Sequence, residues 1–547
     1  MPDPRCMSRA LIALVLLALT GCAGLPSPRA STPSSAIAAT HATALGDLAM
    51  RALARAAGPD AVMPSAAPGS TTAPGTPFGR SGLRPMPDPD IALDARITLI
   101  RRAQSSLDVQ YYQVGNDSVG RLFLRELRDA AQRGVRVRLL IDDFYAQGMD
   151  PLLQGLAAHD HMEVRLFNPF AGGRTDTLGR LVNLAFDFKR LNHRMHNKMF
   201  VADGAMAIVG GRNMADGYFF RGVDNFIDFD AFMIGPVVGQ LASIFDRYWN
   251  SVHVYPIGSI APSADTPEAL RAGFDRLVGS AALTLRAAPA DSYGVPPLSQ
   301  DLSLGLDRLI WAETTAFADH PNKVGNNASE AELADTALYR ALRAFQETRT
   351  ELLLFSPYFV PGKEGMAAMK AARDRGKAVR VVTNSMATTD EPLASLAYER
   401  YRRPMLKLGV ELYELRPEPV QDPRWLPAGV GSSRALWHAK IAFIDRKTVL
   451  LGSLNLDRRS ASTNTELGLL IHSPMFADRT LRYFDATRDR DVRHVYQVKL
   501  KPDGYGLQWV ALKGDGLSEP MDDEPDVDYL LRLRLWLLSP FVSEELL

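Results

Sequence analysis

Apolar and polar positions change period several times along the middle of the chain. Residues 90–103, "DIALDARITLIRRA", repeat apolar side chains at helical spacing. Residues 106–114, "SLDVQYYQV", read as a strand, and 119–134, "VGRLFLRELRDAAQRG", as a helix ended by its glycine. The nearly unbroken apolar run "VRVRLLID", 135–142, reads as a buried strand. A strand, a helix and a strand in succession predict a parallel pair within an α/β fold.

The same order returns further on. "ELLLFSPYFV" (351–360) predicts a strand, "EGMAAMKAARDRG" (364–376) a helix and "AVRVVTN" (378–384) a strand. The two passages keep a constant offset. Arg133-Gly134 recurs as Arg375-Gly376, 242 positions on, and His196, Lys198, Asp203, Gly210 and Asn213 recur at that offset as His438, Lys440, Asp445, Gly452 and Asn455. One offset held over some eighty positions signals an internal duplication.

The repeated core is "HNKMFVAD" and "HAKIAFID", each a His, any residue, a Lys, four residues and an Asp. Apolar positions around Asp203-Gly204 predict two short strands. His196 and Lys198, two apart, then share one face. Asn213 can join them from the next strand, as Ser453 and Asn455 can join His438 and Lys440. Ammonium and carboxamide donors suit the non-bridging oxygens of a phosphate. Two imidazoles suit a two-step displacement, one attacking phosphorus and the other protonating the leaving oxygen. Two lysines supply positive charge, so the arrangement calls for no metal and no cofactor. Asp203 and Asp445, at turns, are expected to brace the loops.

These residues resemble the paired HKD motifs of the phospholipase D superfamily. The stretches "DVQYYQV", "RGVRVRLLIDD", "VRLFNPF" and "GSLNLDRRSASTNTELGLLI" are similar to its bacterial cardiolipin synthase-like members. The resemblance covers roughly residues 81–547. It implies two pseudo-twofold-related α/β domains, each a mixed sheet flanked by helices, around one shared active site. It implies a phosphohistidine on His196 or His438, with the first motif the usual nucleophile. It also implies phosphate contacts from Lys198, Lys440, Asn213 and Asn455, and a downstream acid orienting each His. Glu466 fits one such place. Asp228 or Asp230 fits the other, and Asp228 is preferred because 228–235 and 466–473 match in length. The implied reaction is phosphatidyl transfer, with phosphatidylglycerol and a second phospholipid as substrates; a hydrolase, a nuclease and a silent scaffold are the other readings.

The ends modify this picture. Arg5 and Arg9 precede the apolar run 10–20, which is too short to span a bilayer and fits a secretory signal. It runs into "LTGC", which resembles a bacterial lipobox ending at Cys22. That predicts a signal over 1–22 and a lipidated Cys22 anchoring the protein to a membrane. Ala23, in place of an Asp, implies the outer membrane. Residues 23–87, rich in Pro, Ala, Ser, Thr and Gly, predict a disordered tether, with one short helix possible at 43–57. The two domains are expected over 88–300 and 301–500, followed by an extension, 501–547. Its apolar end, 529–547, suits either a membrane surface or a docked helix. Lys plus Arg and Asp plus Glu are both 62, and the neutral balance argues against nucleic acid as partner. His159 and His161 have no ligand neighbours in sequence, His193 reads as a loop residue, and Tyr111 and Tyr112 as packing or cleft-lining. Arg194 and Arg212 suit either a lipid headgroup or acidic partners.

Overall fold

The computed structural model describes residues 32–58, 79–279, 294–324, 335–417, 434–489, 495–513 and 516–527, with a few isolated positions besides. Cys22 and nearly all of the 529–547 stretch lie outside the described residues.

The strands of the first half are β1 (Arg80–Met86), β2 (Ser106–Tyr111), β3 (Arg136–Asp142), β4 (Met162–Phe167), β5 (Met199–Ala202), β6 (Met206–Gly210), β7 (Asp224–Ile227), β8 (Asp230–Ile234) and β9 (Val254–Pro256). Those of the second are β10 (Ile310–Ala318), β11 (Glu351–Phe355), β12 (Ala378–Asn384), β13 (Glu411–Leu415), β14 (Arg434–Trp437), β15 (Ile441–Ile444), β16 (Thr448–Gly452), β17 (Leu467–His472), β18 (Val495–Leu500), β19 (Leu507–Lys513) and β20 (Gly516–Leu517).

In each half three parallel strands, β2–β3–β4 or β11–β12–β13, adjoin an antiparallel set, β5–β6–β8 or β15–β16–β17. The crossover helices are Ser118–Gln132 and Gly362–Asp374, and each closes on a glycine in the left-handed region, Gly134 or Gly376. The expected mixed sheets are therefore present, but they are not separate. β1 pairs with β8 on one side and with β10 on the other, and β10 pairs with β17, so 18 strands of the described residues form one sheet. The antiparallel β1–β10 pair marks the pseudo-twofold.

One apolar cluster belongs to each half. A third, shared by both, includes Met199, Val209, Phe245, Trp249, Phe443 and Leu469. The catalytic-motif strands thus stand on a core common to both halves, which fixes the two motifs relative to each other.

The expected tether is shorter than its composition suggests. Helix Ala44–Ala57 forms, capped by Thr43, and β1 is a buried central strand. Residues 32–39 are also docked. Thr32 and Ser34 supply main-chain oxygens to the buried guanidinium groups of Arg165 and Arg138. A side chain at Gly204 would strike the carbonyl of Ile37, and its φ of 62° favours glycine as well. Polar, small residues here satisfy buried arginines rather than solvating a linker. The other boundaries shift too. Arg84 of β1 reaches Asp301, and β19 extends the second half past residue 500 by pairing with β18.

Candidate active site

The chain enters each motif along a short segment held by the opposite half. Met195 bridges Thr465, with His196 N donating to Thr465 O at 2.9 Å and Thr465 N to Arg194 O at 2.9 Å. In the second copy β14 runs parallel to β7, and His438 N donates to Ile227 O at 2.9 Å. The residue just before each His is also pinned from its own sheet. Asp142, at the end of β3, accepts from Met195 N at 2.8 Å, and Asn384, at the end of β12, accepts from Trp437 N at 2.9 Å. Asp142 and Asn384 are again 242 apart, so the repeat offset was the signal that could have found them.

This crossing decides which acid meets which imidazole. His196 Nδ1 lies 2.9 Å from Glu466 Oε2, an acid of the second half. His438 Nδ1 lies 2.6 Å from Asp228 Oδ2, an acid of the first. Of the two candidates, Asp228 is the one at the histidine; Asp230 instead pairs with the buried Arg96 and Arg212. All four partners are buried.

Burial and the two nearby lysines, working against Glu466, bring His196 down to about 4. Burial and Lys440, working against Asp228, lower His438 as well. Glu466 is itself lowered: burial pushes it up, but His196 and Lys198 outweigh that. With Glu466 ionised, Nδ1–H of His196 donates to it, which leaves the Nε2 lone pair free for chemistry.

Lys198 Nζ donates to His196 O at 2.8 Å, and Lys440 Nζ to His438 O at 2.6 Å. Each ammonium bonds a main-chain oxygen of its own histidine rather than a carboxylate. Burial and Lys440 bring Lys198 down to about 7, and burial brings Lys440 down to about 8 despite Asp228. Two buried ammonium groups repelling each other favour an anion between them.

The remaining expected residues divide. Asn455 is buried with its Oδ1 unpaired. Asn213, its counterpart in the repeat, is buried too but occupied, accepting from Gln113 N and donating to Tyr218 OH at 2.8 Å. Ser453, expected among the phosphate donors, donates its hydroxyl to Glu466, as Ser460 does at 2.7 Å. Ser453 thus holds the acid, because its position at the end of β16 faces β17 at Glu466. Arg194 and Arg212 pair with Asp142 and Asp230 and do not reach into the cleft as free cations. His193 Nδ1 contacts Lys189 O at 2.6 Å.

Asp203 accepts from the main-chain N–H groups of Gln104, Ser105 and Ser106. Asp445 accepts from those of Arg349, Thr350 and Glu351. Both sit at positive φ, 50° and 54°, a region aspartate tolerates. They are turn braces, as their sequence position suggests. Partial burial raises the Asp445 carboxyl, but the Thr350 and Arg349 donors outweigh it and hold the group at about 2. A folded value below the unfolded one gives stability that is complete above about pH 4 and drains away toward pH 2. The denaturation midpoints of the wild type and Asp445→Asn are therefore expected to differ near neutrality and converge in acid. A gap that does not narrow would remove the carboxylate from this role.

Of the aromatic walls, sequence reading offered Tyr112, as packing or cleft-lining, and missed Tyr218 and Phe226. Tyr112 meets the His196 ring edge-on at 5.1 Å, while Tyr218 and Phe226 flank His438 at 5.1 and 5.2 Å. Tyr111, by contrast, is core and accepts from Arg96 Nε at 2.9 Å. The stretch 319–323, "DHPNK", supports the acid Glu466: Asp319 accepts from Glu466 N at 2.9 Å and from Lys323 Nζ at 2.8 Å, fixing the backbone that carries it. Among the described residues no cluster of three or more His, Cys, Asp or Glu side chains is placed to hold a metal ion.

A family profile described as "Cardiolipin synthase, PLD-like domain" matches residues 97–249 and 341–488, one match in each half. Cardiolipin synthase C of Escherichia coli (strain K12) is 39% identical over 404 residues, covering 73% of this chain and 83% of that one. A cardiolipin synthase of Staphylococcus aureus (strain N315) is 23% identical over 397 residues, 72% of this chain and 64% of that one. The crystal structure of phosphatidylserine synthase from Haemophilus influenzae Rd KW20 superposes with a TM-score of 0.56 at 14% identity, over 85% of this chain and 94% of that one. That likeness is one of fold.

Proposed function

Since the chain belongs to the phospholipase D superfamily, in its cardiolipin synthase-type PLD-like family, we propose that it transfers phosphatidyl groups between phospholipids through a phosphohistidine. The observation that carries this reading is the pair of buried imidazole–carboxylate couples set beside two buried ammonium groups. Such a site binds one phosphodiester and has one imidazole for each of two tasks.

His196, neutral and oriented by Glu466, attacks phosphorus through Nε2. The P–O bond to the departing headgroup breaks as P–N forms, and His438 gives its proton to the leaving oxygen. The bound phosphodiester anion, with Asp228, raises His438 enough to carry that proton. His438 then takes a proton from the acceptor hydroxyl, whose oxygen attacks phosphorus and releases His196. Lys198, Lys440 and Asn455 hold the non-bridging oxygens throughout.

Phosphatidylglycerol as acceptor, with a second phospholipid as donor, gives cardiolipin. The lipobox supports an outer-membrane anchor at Cys22. Both are tested in a bacterium lacking its own cardiolipin synthases and fed labelled fatty acid. Cardiolipin should appear with the wild type and not with His196→Ala, and label should mark the wild-type protein but not Cys22→Ala. Phosphatidic acid accumulating without cardiolipin would make the protein a hydrolase.

A further inference from the structure

Helix Thr177–Leu191 is amphipathic the wrong way round. Three of its polar side chains, Arg180, Asn183 and Arg190, bond to the protein. Arg180 is buried and donates to the main-chain oxygens of Arg174, Phe144 and Asp143. Asn183 donates to Gly172 O, and Arg190 to Asn168 and Pro169. Its large apolar side chains face outward: Leu178 is 73% exposed, Phe186 72%, Leu181 57%, Phe188 46% and Val182 45%. Ordinary surface helices bury such a stripe, and a contiguous exposed one marks an interaction surface.

We infer that this face is a membrane-docking surface that seats the catalytic cleft on a phospholipid bilayer. Two observations choose the bilayer over a protein partner. First, both ends of the helix are fastened to the rim of the site. Gln147 Nε2 donates to Thr177 Oγ1, and Arg180 to Phe144 O, in the loop whose Tyr145 packs on Tyr112 beside His196. At the other end Arg459 donates to Asn192, four residues before His196. Second, the exposed Lys189 follows directly on the exposed Phe188, just past the break in helical backbone at Asp187, and so stands at the end of the apolar stretch. Aromatic and aliphatic side chains with a flanking cation match an anionic lipid surface. No helix among the described residues is long and apolar enough to cross a membrane, so this contact lies in the interface plane.

The inference rests on the proposed lipid reaction for its purpose, but its test does not. Full-length protein with Cys6 and Cys22 changed to Ala is labelled with an environment-sensitive fluorophore at Phe186→Cys and mixed with vesicles of phosphatidylglycerol and phosphatidylethanolamine. A blue shift and a several-fold gain in intensity are expected, and both should vanish in Leu178→Asp/Val182→Asp. In the unlabelled protein that pair of changes should lower turnover of vesicle lipid about tenfold or more, leaving turnover of a monomeric short-chain phospholipid intact. No spectral shift, or equal loss on both substrates, overturns the surface. So does a change of solution mass without vesicles, which would assign the face to a second copy. A shift without any phospholipid turnover would sink the transfer reading and leave the surface standing.

Discussion

His196→Ala is expected to lower turnover by about four orders of magnitude or more, since on the proposed mechanism it removes the covalent nucleophile and leaves only binding and electrostatic assistance. His438→Ala should be as damaging with a native headgroup, because an alkoxide leaves poorly unprotonated. The two variants part company with an activated aryl leaving group. That group departs without a proton, so His438→Ala should still release one equivalent rapidly and then stall at the phosphohistidine, whereas His196→Ala should show no burst. The opposite pattern would exchange the two roles. Both side chains are buried but small and sit on strand ends whose backbone bonds are independent of them. Folding, followed by circular dichroism, should therefore survive.

Exchanging the acids for amides gives the second large effect. Glu466→Gln and Asp228→Asn preserve shape but remove the charge that fixes each imidazole tautomer and supports its cationic form. A loss of about 10²- to 10⁴-fold in kcat with little change in KM is expected for each. Because the acids act across the halves, the consequences should cross as well. Glu466→Gln should slow formation of the phosphohistidine on His196 for every leaving group. Asp228→Asn should slow release of poor leaving groups more than good ones, through His438. If each amide instead phenocopied the His of its own half, the crossed pairing would not operate in solution.

Much of this was legible because duplication writes structure twice. The 242-residue offset located both motifs, both crossover helices and the turn aspartates, and hydrophobic runs identified β3 and β12. What the offset could not reveal is exchange between halves. Asp228 and Glu466 occupy matching strand ends, and nothing in the linear order says that each lies against the other copy's histidine. That follows only from the parallel contacts of β14 with β7 and of Met195 with Thr465. Ser453 was misplaced for a similar reason, since its hydroxyl turns toward β17 rather than the cleft. β1 was hidden by composition. "RSGLRPM" has few apolar residues, and it is a strand only because β8 and β10 border it on both sides. The reversed helix at 177–191 escaped notice because periodicity reports a stripe but not the direction it faces.

The crossed acids also bear on why a fused chain differs from a homodimer of one half. In a symmetric homodimer the two imidazoles would have identical surroundings, and no substitution could tune one without the other. Covalent fusion lifts that constraint. Here one histidine faces a glutamate that is also bonded by two serine hydroxyls, and the other faces an aspartate at shorter range. The aromatic neighbours differ too, one tyrosine against a tyrosine–phenylalanine stack. Asymmetry of this kind allows two copies of one ancestral residue to diverge into donor-side and acceptor-side specialists, with selection acting on each separately.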